Sequence, residues 1–468
     1  MTTLKTSGET LFGHPKGLFI LFFTEMWERF SFYGMKALLI FYLTKYHLFS
    51  DDSGNLLIGS YAALVYAVPV IGGFIADKYL GFRKAIIFGG VMLVLGYLGM
   101  AYEGNAATQS MTGEITRDNS ALQIFYFSLS LIIVGVGFLK ANISSLVGEL
   151  YATGDKRRDS GFTIFYMGIN LGSFLATIIC AWLGENYGWS YGFGAAGIGM
   201  FFGLITFISG KRFLEGKGES KVPAFLIKTS LGIKNEWLIY IASALSALFF
   251  WQMVQSHDAV SWILKIAGGC SFLYIVYYAV TQLSGKERDQ LIALTILIVF
   301  TIVFWALFEQ AYTSLNLFAD RILDRNVLGF ELTAGQFLSF NALFIILLAP
   351  VFAWLWVKLG KYNPNTAVKF SLALILVGLG FGALVMGINV SGAGKVDLLG
   401  EFNNWNTAEP VKMKMLKNGS FTVTIDLPSE NEFQYKYLLD GEKWINDDSA
   451  DKYVNSGLGT EENSVVVL

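Results

Sequence analysis

The sequence is poor in the residue types on which metal sites, disulfide scaffolds and most catalytic centres depend. Its two cysteines, Cys180 and Cys270, both lie in apolar runs, which excludes a disulfide framework and a zinc site. Its three histidines, His14, His47 and His257, lie near the ends of apolar runs or between them. No metal-ligand spacing, nucleophile–base pair or phosphate-binding glycine loop accompanies these residues, so the sequence does not predict an enzyme.

Charge is also scarce. Charged residues make up 15% of the 468 residues, whereas a soluble domain carries about 25%. The 34 Lys+Arg and 36 Asp+Glu give a net charge of −2, which excludes the basic footprint of a nucleic-acid-binding protein. Hydrophobic residues reach 54%, and the first apolar run is too long and too charged for a cleavable signal peptide. The composition therefore predicts a membrane protein.

The charges are unevenly distributed along the chain. Residues 391–468 carry seven basic and thirteen acidic groups, a density typical of soluble domains, whereas the first 390 residues are far poorer in charge. A Ser391-Gly392-Ala393-Gly394 stretch between the two parts is typical of a flexible linker. The sequence thus predicts a membrane body followed by a small soluble module.

The membrane body contains eleven runs long enough to cross a bilayer, which requires about 20 apolar residues each. They begin near Gly17, Leu56, Lys84, Ala121, Gly161, Trp189, Trp237, Ala259, Asp289, Ala334 and Thr366. Alternate loops between them are rich in Lys and Arg, and the bias keeps one phase along the chain. Because basic loops favour the cytoplasm, we expect a cytoplasmic N-terminus and an extracytoplasmic C-terminal module.

The first span carries charges that a bilayer does not tolerate without partners. Glu25, Glu28 and Arg29 are spaced i, i+3 and i+4, which puts them on one helical face. Lys36 follows two turns later on the same face. This stripe must face either water or opposite charges.

Further charges within spans are Lys140 in the fourth and Glu309 in the ninth. A structural ion-pair network and a transport pathway both account for such charges, and the size of this cluster favours the pathway. A proton arriving at Glu25 or Glu28 would release Lys140 from its pairing, which is a switch that a proton gradient can drive.

These residues also form a recognisable motif. The run Glu25-x-x-Glu28-Arg29-Phe30-x-x-Tyr33-Gly34 resembles the ExxERFxYYG signature of proton-coupled oligopeptide transporters, a branch of the major facilitator superfamily. Further matches in family order lie at residues 72–81, 137–144, 165–173, 304–310 and 341–350. The resemblance implies proton-coupled symport of di- and tripeptides across the cytoplasmic membrane, driven by the proton gradient without a cofactor.

The resemblance also implies roles for individual residues. The proton-coupling set would be Glu25, Glu28, Arg29, Lys140 and Glu309. The peptide cavity would be lined by Arg29, Tyr33, Lys36, Tyr66, Tyr166, Asn170, Trp305, Gln310 and Asn341. Arg29 and Lys36 would hold the carboxylate of the peptide.

Three departures from the family pattern stand out. Phe32 replaces the first tyrosine of the motif, and Gly59 stands where animal members carry a proton-linked histidine. The family has twelve core helices, and this sequence supplies nine of them plus two inserted helices, which predicts a truncated product or one completed by a partner. The expected organisation is a six-helix bundle (1–210), two inserted helices (211–285), an incomplete three-helix bundle (286–390) and the C-terminal module (391–468).

The C-terminal module alternates apolar and polar residues with period two, which predicts a small antiparallel β-sandwich of immunoglobulin-like size. Phe421, Val423, Ile425 and Leu427 would share one face of a strand. Asn418-Gly419 and Asp440-Gly441 are two-residue turn signals.

The module resembles the glycogen- and starch-binding modules of debranching enzymes and of AMP-activated kinase β subunits. The resemblance implies that Trp405 and Trp444 stack on glucose rings and that Lys436 binds hydroxyl groups of an α-glucan. Both tryptophans could instead be core aromatics of the sandwich. A membrane-anchored glycan-binding or sensing protein is therefore the alternative function that the sequence suggests.

Overall fold

The computed structural model describes residues 10–110, 113–327, 329–391, 395–415, 421–429, 431–441, 443–447, 450–456 and 462–467. It divides into two compact units, residues 1–364 and 365–468. The division falls before the last long helix, so the boundary predicted at residue 391 lies inside the second unit.

The first unit is helical. Its helices are α1 (Lys16–Phe41), α2 (Asp51–Ala67), α3 (Pro69–Ile75), α4 (Phe82–Met100), α5 (Asn119–Glu149), α6 (Arg158–Tyr187), α7 (Trp189–Ser209), α8 (Pro223–Ile227), α9 (Asn235–Val254), α10 (His257–Thr281), α11 (Gly285–Phe308), α12 (Ser314–Arg321) and α13 (Ser339–Leu359). Turns of π or 3₁₀ helix follow several of them, at Tyr42–Tyr46, Ala76–Leu80, Gly210–Leu214, Glu309–Tyr312, Ala334–Leu338 and Gly360–Tyr362. Two-residue hairpin strands close its loops: β1 (Thr10–Leu11), β2 (His14–Pro15), β3 (Thr108–Gln109), β4 (Ile115–Thr116), β5 (Thr229–Ser230), β6 (Ile233–Lys234), β7 (Asn326–Val327) and β8 (Phe330–Glu331).

Helices lie where the eleven spans are predicted. Within the described residues, ten helical segments are long and apolar enough to cross a membrane. The first predicted span corresponds to α1, which has 26 residues but carries the charged stripe and therefore falls outside that set. The prediction of an all-α polytopic body is confirmed.

Local sequence signals set several helix ends. The Ser50 side chain accepts from Ser53 N at 3.3 Å and caps α2, and Asp118 accepts from Ala121 N at 3.0 Å and caps α5. Pro69 starts α3 directly after α2, where a proline in the first helical turn gives up no hydrogen bond. Gly81 ends the next turn with a φ of 78°, a conformation that favours glycine.

Helix α1 lies at the centre of the first unit and packs mainly on α6 and α7. Most of its residues are buried, including its charged stripe. The approach of α6 is close: a Cβ atom added at Gly34 would lie 2.6 Å from Cys180 Sγ. Because α1 is enclosed in this way, its charges have to find partners within the protein.

The second unit contains α14 (Thr366–Ser391) and a C-terminal antiparallel module. Its strands are β9 (Val396–Gly400), β10 (Val411–Lys412), β11 (Lys414–Met415), β12 (Phe421–Thr422), β13 (Glu432–Leu439), β14 (Lys443–Ile445), β15 (Lys452–Asn455) and β16 (Glu462–Val467), with one 3₁₀ turn at Glu401–Asn403. Six of them form one sheet in the order β10-β9-β13-β16-β15, with β14 paired to β13, while β11 pairs with β12.

The details of this module follow the predicted pattern in part: strand β12 contains only Phe421 and Thr422, so the other three residues of the predicted strand face lie beyond its end. Phe421, Val423, Ile425 and Leu427 are half-buried, and the residues between them are exposed. The Asp440-Gly441 signal lies in the β13–β14 hairpin, but Leu439 pairs with Lys443, so the connection has three residues where two were predicted. The Asn418-Gly419 signal lies outside the described residues. The predicted antiparallel fold is confirmed.

Candidate transport site

The first group of buried charges is built on one face of α1. Glu25 and Glu28 are fully buried and Arg29 is 6% exposed. Arg29 Nη2 donates to Glu28 Oε1 at 2.5 Å and its Nε donates to Glu28 Oε2, so the guanidinium holds that carboxylate with two bonds. Arg29 Nε also lies 3.5 Å from Glu25 Oε1. Lys140, from α5, pairs its ammonium with the same Glu25 oxygen.

This arrangement gives each buried charge a partner. Leaving one buried charge without its partner costs about 3–5 kcal/mol, so the four groups depend on one another. The two carboxylates divide the cations, since Glu28 takes Arg29 with two bonds while Glu25 takes Lys140. The sequence predicted Lys140 as the partner of this stripe, and the structure places it on Glu25 in particular.

The second group of charges connects α1 to a distant part of the chain. Lys36 is 2% exposed and pairs with Glu309, in the 3₁₀ turn between α11 and α12. Tyr66, at the end of α2, donates its hydroxyl to Glu309 Oε1 at 3.1 Å. The Lys36 ammonium lies 4.1 Å from the centre of the Tyr312 ring. Three separate segments therefore meet at one ion pair.

Aromatic rings connect the two groups. The Arg29 guanidinium lies 4.8 Å from the centre of the Phe32 ring and 5.7 Å from that of Tyr33. The Lys36 ammonium lies 5.8 Å from the centre of the same Phe32 ring. Tyr33 in turn stacks on Tyr312 with ring centres 6.1 Å apart. Phe32 thus contacts both cations through its ring, which needs no hydroxyl.

The remaining predicted cavity residues make other contacts. Asn170 is buried and donates to Tyr166 O at 3.1 Å, one turn earlier in α6. Gln310 accepts from Ser314 Oγ at 3.3 Å. Five predicted cavity residues belong to this set: Tyr166, Asn170, Trp305, Gln310 and Asn341. Within the part of the chain that the structure describes, none of the five forms a hydrogen bond or an ion pair with either charge group.

The sequence did not single out several tyrosines that lie in this region. Tyr312 packs directly on Lys36, and the Tyr61 and Tyr97 hydroxyls are fully buried without a hydrogen-bond partner among the described residues. Glu25 Oε2 is also buried without a partner there. No motif marks these tyrosines, because a tyrosine in an apolar span has the same local pattern whether it packs or binds.

The predicted glycan site can be described within the second unit. Trp405 and Trp444 come together with ring centres 6.3 Å apart. Trp444 is 42% exposed and Trp405 is half-buried, so neither is enclosed in the core of the sheet. Lys436 is 9% exposed on β13, which leaves little of its side chain accessible.

A helical bundle with paired charges buried across its spans has the architecture of a polytopic membrane transporter. Comparison with known proteins agrees with this class: the sequence profile of the POT family matches residues 83–434. The chain belongs to the POT family and is a multi-pass membrane protein.

Two relatives show the extent of the similarity. The chain is 40% identical over 383 residues to the transporter YclF of Bacillus subtilis (strain 168), covering 79% of this chain and 73% of that protein. It is 34% identical over 407 residues to a di-/tripeptide transporter of Lactococcus lactis subsp. lactis (strain IL1403), covering 81% and 77%.

A solved structure is similar as well. The crystal structure of a peptide transporter POT, as an E310Q mutant in complex with alafosfalin, has a TM-score of 0.66 and is 37% identical. The matched region covers 80% of this chain and 74% of the chain in that crystal structure.

Proposed function

We propose that this protein carries out proton-coupled symport of di- and tripeptides across the cytoplasmic membrane. The observation that carries the proposal is the two partly buried ion pairs of α1, Lys140–Glu25 and Lys36–Glu309, which involve positions before and after Arg29 in the helix. The relationship to a di-/tripeptide transporter supports the substrate class. The basic loops support a cytoplasmic N-terminus, with the C-terminal module on the opposite side of the membrane.

The Lys36–Glu309 pair is proposed as the link between peptide and proton. A peptide carboxylate reaching Lys36 competes with Glu309 for the same ammonium, which is also held by the Tyr312 ring. A proton on Glu309 removes the competing negative charge. Peptide and proton therefore favour the same state, in which Lys36 binds substrate and the α1–α11 connection is open.

The Glu25–Glu28–Arg29–Lys140 group is proposed as the second proton-responsive element. Glu28 occupies Arg29 with two bonds in the described state. Protonation of Glu28 would weaken both charge-assisted bonds and free the guanidinium for a peptide carboxylate. Protonation of Glu25 would release Lys140 in the same way.

The other cavity residues are proposed to bind the rest of the peptide. Tyr33 and Tyr66 already lie beside the two charge groups and offer hydroxyls near the expected carboxylate position. The predicted cavity residues without a bond to either charge group among the described residues would contact the peptide backbone and side chains; they are Tyr166, Asn170, Trp305, Gln310 and Asn341.

The test is dipeptide uptake into proteoliposomes under an imposed proton gradient, using the complete chain. We expect uptake in the unaltered protein and its loss in Glu28→Gln and Lys140→Ala. Glu114→Gln and Lys228→Ala change exposed loop residues and serve as matched controls that keep uptake. Uptake that is absent from the unaltered protein, or indifferent to the first two substitutions, would overturn the proposal.

A second candidate function concerns the C-terminal module. The approach of Trp405 to Trp444 with partly exposed rings favours stacking on sugar, since aromatic faces bind the apolar faces of glucose rings. Titration calorimetry of the complete protein in detergent with maltooligosaccharides should release heat that Trp405→Ala and Trp444→Ala abolish. Trp262→Ala, on the first unit, is the matched control. Absence of heat in the unaltered protein would remove this candidate.

A further inference from the structure

A carboxylate outside both charge groups connects two helices at one mouth of the bundle. Glu185, near the end of α6, accepts from Gly335 N at 2.9 Å and from Ala334 N at 3.2 Å. These two amides belong to the 3₁₀ turn that leads into α13. About 150 residues of chain separate the carboxylate from the amides that it binds.

The contact satisfies a specific need of α13. The first amides of a helix have no partner inside the helix and carry a partial positive charge, so an anion there is stabilising. Gln336 Oε1 accepts from Thr333 N at 2.8 Å, and Glu185 takes the next two amides. A side chain from α6 therefore completes the cap of α13.

The backbone approaches closely enough to require a glycine. A Cβ atom added at Gly335 would lie 2.8 Å from Ala181 Cβ and 3.0 Å from Glu185 Oε1. One further bond joins the same segments, from Gln336 Nε2 to Ile178 O at 3.4 Å, while Asn316 Nδ2 in the neighbouring α12 donates to Ala37 O of α1 at 3.0 Å. The start of α13 is thus held against α6 at several points, of which only Glu185 can change its charge.

The surroundings give protons access to Glu185. It lines a polar cavity of about 360 Å³ together with Lys45, Asp320, Arg325 and Glu331. The Lys45 ammonium forms an ion pair with Asp320 at 2.5 Å, and the Arg325 guanidinium lies 3.8 Å from the same carboxylate. Glu331 is 80% exposed and lies 4.0 Å from Arg325. The cations at this mouth are therefore paired with other acids, and the ionised Glu185 is held mainly by backbone amides.

We propose that Glu185 is a proton-sensitive positioning residue that keeps this mouth closed while it is ionised. Protonation removes the charge that complements the start of α13 and leaves a weaker acceptor, so α13 separates from α6 more readily. The basic-loop pattern puts this mouth on the extracytoplasmic side, where a proton gradient supplies protons. The role of this step in a transport cycle rests on the proposed function; the pH-dependent opening itself does not.

The test measures opening directly, without peptide. Spin labels at Tyr187→Cys and Phe330→Cys, in a Cys270→Ser background, report the distance between the end of α6 and the loop before α13. Tyr187 and Phe330 are exposed, and the remaining Cys180 is buried. We expect the otherwise unaltered protein to shift from the short to the long distance as the pH falls from about 6 to about 3, across the ordinary titration range of a glutamate.

Glu185→Gln should populate the long distance already at the higher pH, with a roughly five- to tenfold rise in the open-to-closed ratio, and should lose most of the pH response. Gly335→Ala should open the mouth by steric contact and keep the pH response, so it reports on the contact if the first variant is poorly folded. Glu331→Gln, an exposed acid at the same mouth, should behave as the unaltered protein. A Glu185→Gln variant with the unaltered pH profile would overturn the inference, whether or not peptide uptake is observed.

Discussion

Lys36, which is buried, and Glu309, which is partly exposed, form an ion pair between residues that are 273 positions apart in the chain. Tyr66 donates to the same carboxylate, and the Tyr312 ring packs on the ammonium. Because α1, the end of α2 and the turn after α11 meet at this pair, any change in its charge is transmitted to three helices. This relationship connects the N-terminal bundle to the ninth predicted span.

Removing the charge of Glu309 should separate exchange from net transport. In Glu309→Gln the carboxamide still accepts from Tyr66, but it cannot bind or release a proton. We expect proton-driven net uptake of dipeptide to fall to background, while exchange of labelled for unlabelled dipeptide across the vesicle membrane continues. Loss of both activities, or of neither, would contradict the proposed role of this carboxylate.

Peptide binding should require an aromatic ring at position 32, but it should not require a hydroxyl group on that ring. It lies under Arg29 and near Lys36, and a cation–π contact of this kind contributes about 1 kcal/mol. Phe32→Ala should therefore raise the KM for dipeptide about fivefold, whereas Phe32→Tyr should stay close to the unaltered value. Equal KM values for all three proteins in concentration-dependent uptake would argue against the contact.

The close packing of α1 on α6 should be visible in stability. A Cβ atom at Gly34 would lie 2.6 Å from Cys180 Sγ, so Gly34→Val should lower the free energy of unfolding by about 1–3 kcal/mol. Cys180→Ala removes the obstructing sulfur and should restore part of that loss in the double variant. Thermal unfolding in detergent measures both effects; additive losses in the double variant would show that the two positions are not in contact.

His47 should make the protein less stable in mild acid. It lies in the loop after the first helix, fully buried, and neither ring nitrogen has a hydrogen-bond partner among the described residues. Burial, together with the nearby Arg117 cation, lowers the pKa of His47 to about 4.

The sign of this pH effect follows from the direction of the shift. The unfolded chain takes up a proton at His47 near its ordinary pKa of about 6.5, before the folded protein does. The His47 contribution is therefore fully present above that pH and is lost as the pH falls towards 4. His47→Gln should flatten the decline of the unfolding temperature across this window, and a slope equal to that of the unaltered protein would contradict the assignment.

The sequence predicted what depends on local spacing, and among the distant contacts it predicted that Lys140 is the partner of the α1 stripe. The i, i+3, i+4 spacing was enough to put Glu25, Glu28 and Arg29 on one face, and the structure has them in contact there. The pairing of Lys36 with Glu309 could be expected only in general terms, since no periodicity relates residues in different spans. Tyr312 and Glu185 carry no sequence signal of their own. Tyr312 matters because it packs on Lys36, and Glu185 because it binds the amides at the start of α13.

The C-terminal module shows the same limit. Alternation predicted the half-buried face of Phe421 to Leu427, and the Asp440-Gly441 signal predicted its hairpin. The approach of Trp405 to Trp444 depends on a non-local arrangement of the strands, which the sequence could only suggest through resemblance. Binding of an α-glucan to this pair stays a prediction.

The central claim is that carboxylates within the bundle take up and release protons in step with the transport of peptide. The most direct measurement is the pH inside proteoliposomes loaded with a fluorescent pH indicator when dipeptide is added outside. We predict peptide-dependent acidification of the interior by the unaltered protein and none by Glu309→Gln or Glu28→Gln. The account would be contradicted if dipeptide entered the vesicles without acidifying them, or if the two variants acidified the interior as much as the unaltered protein does.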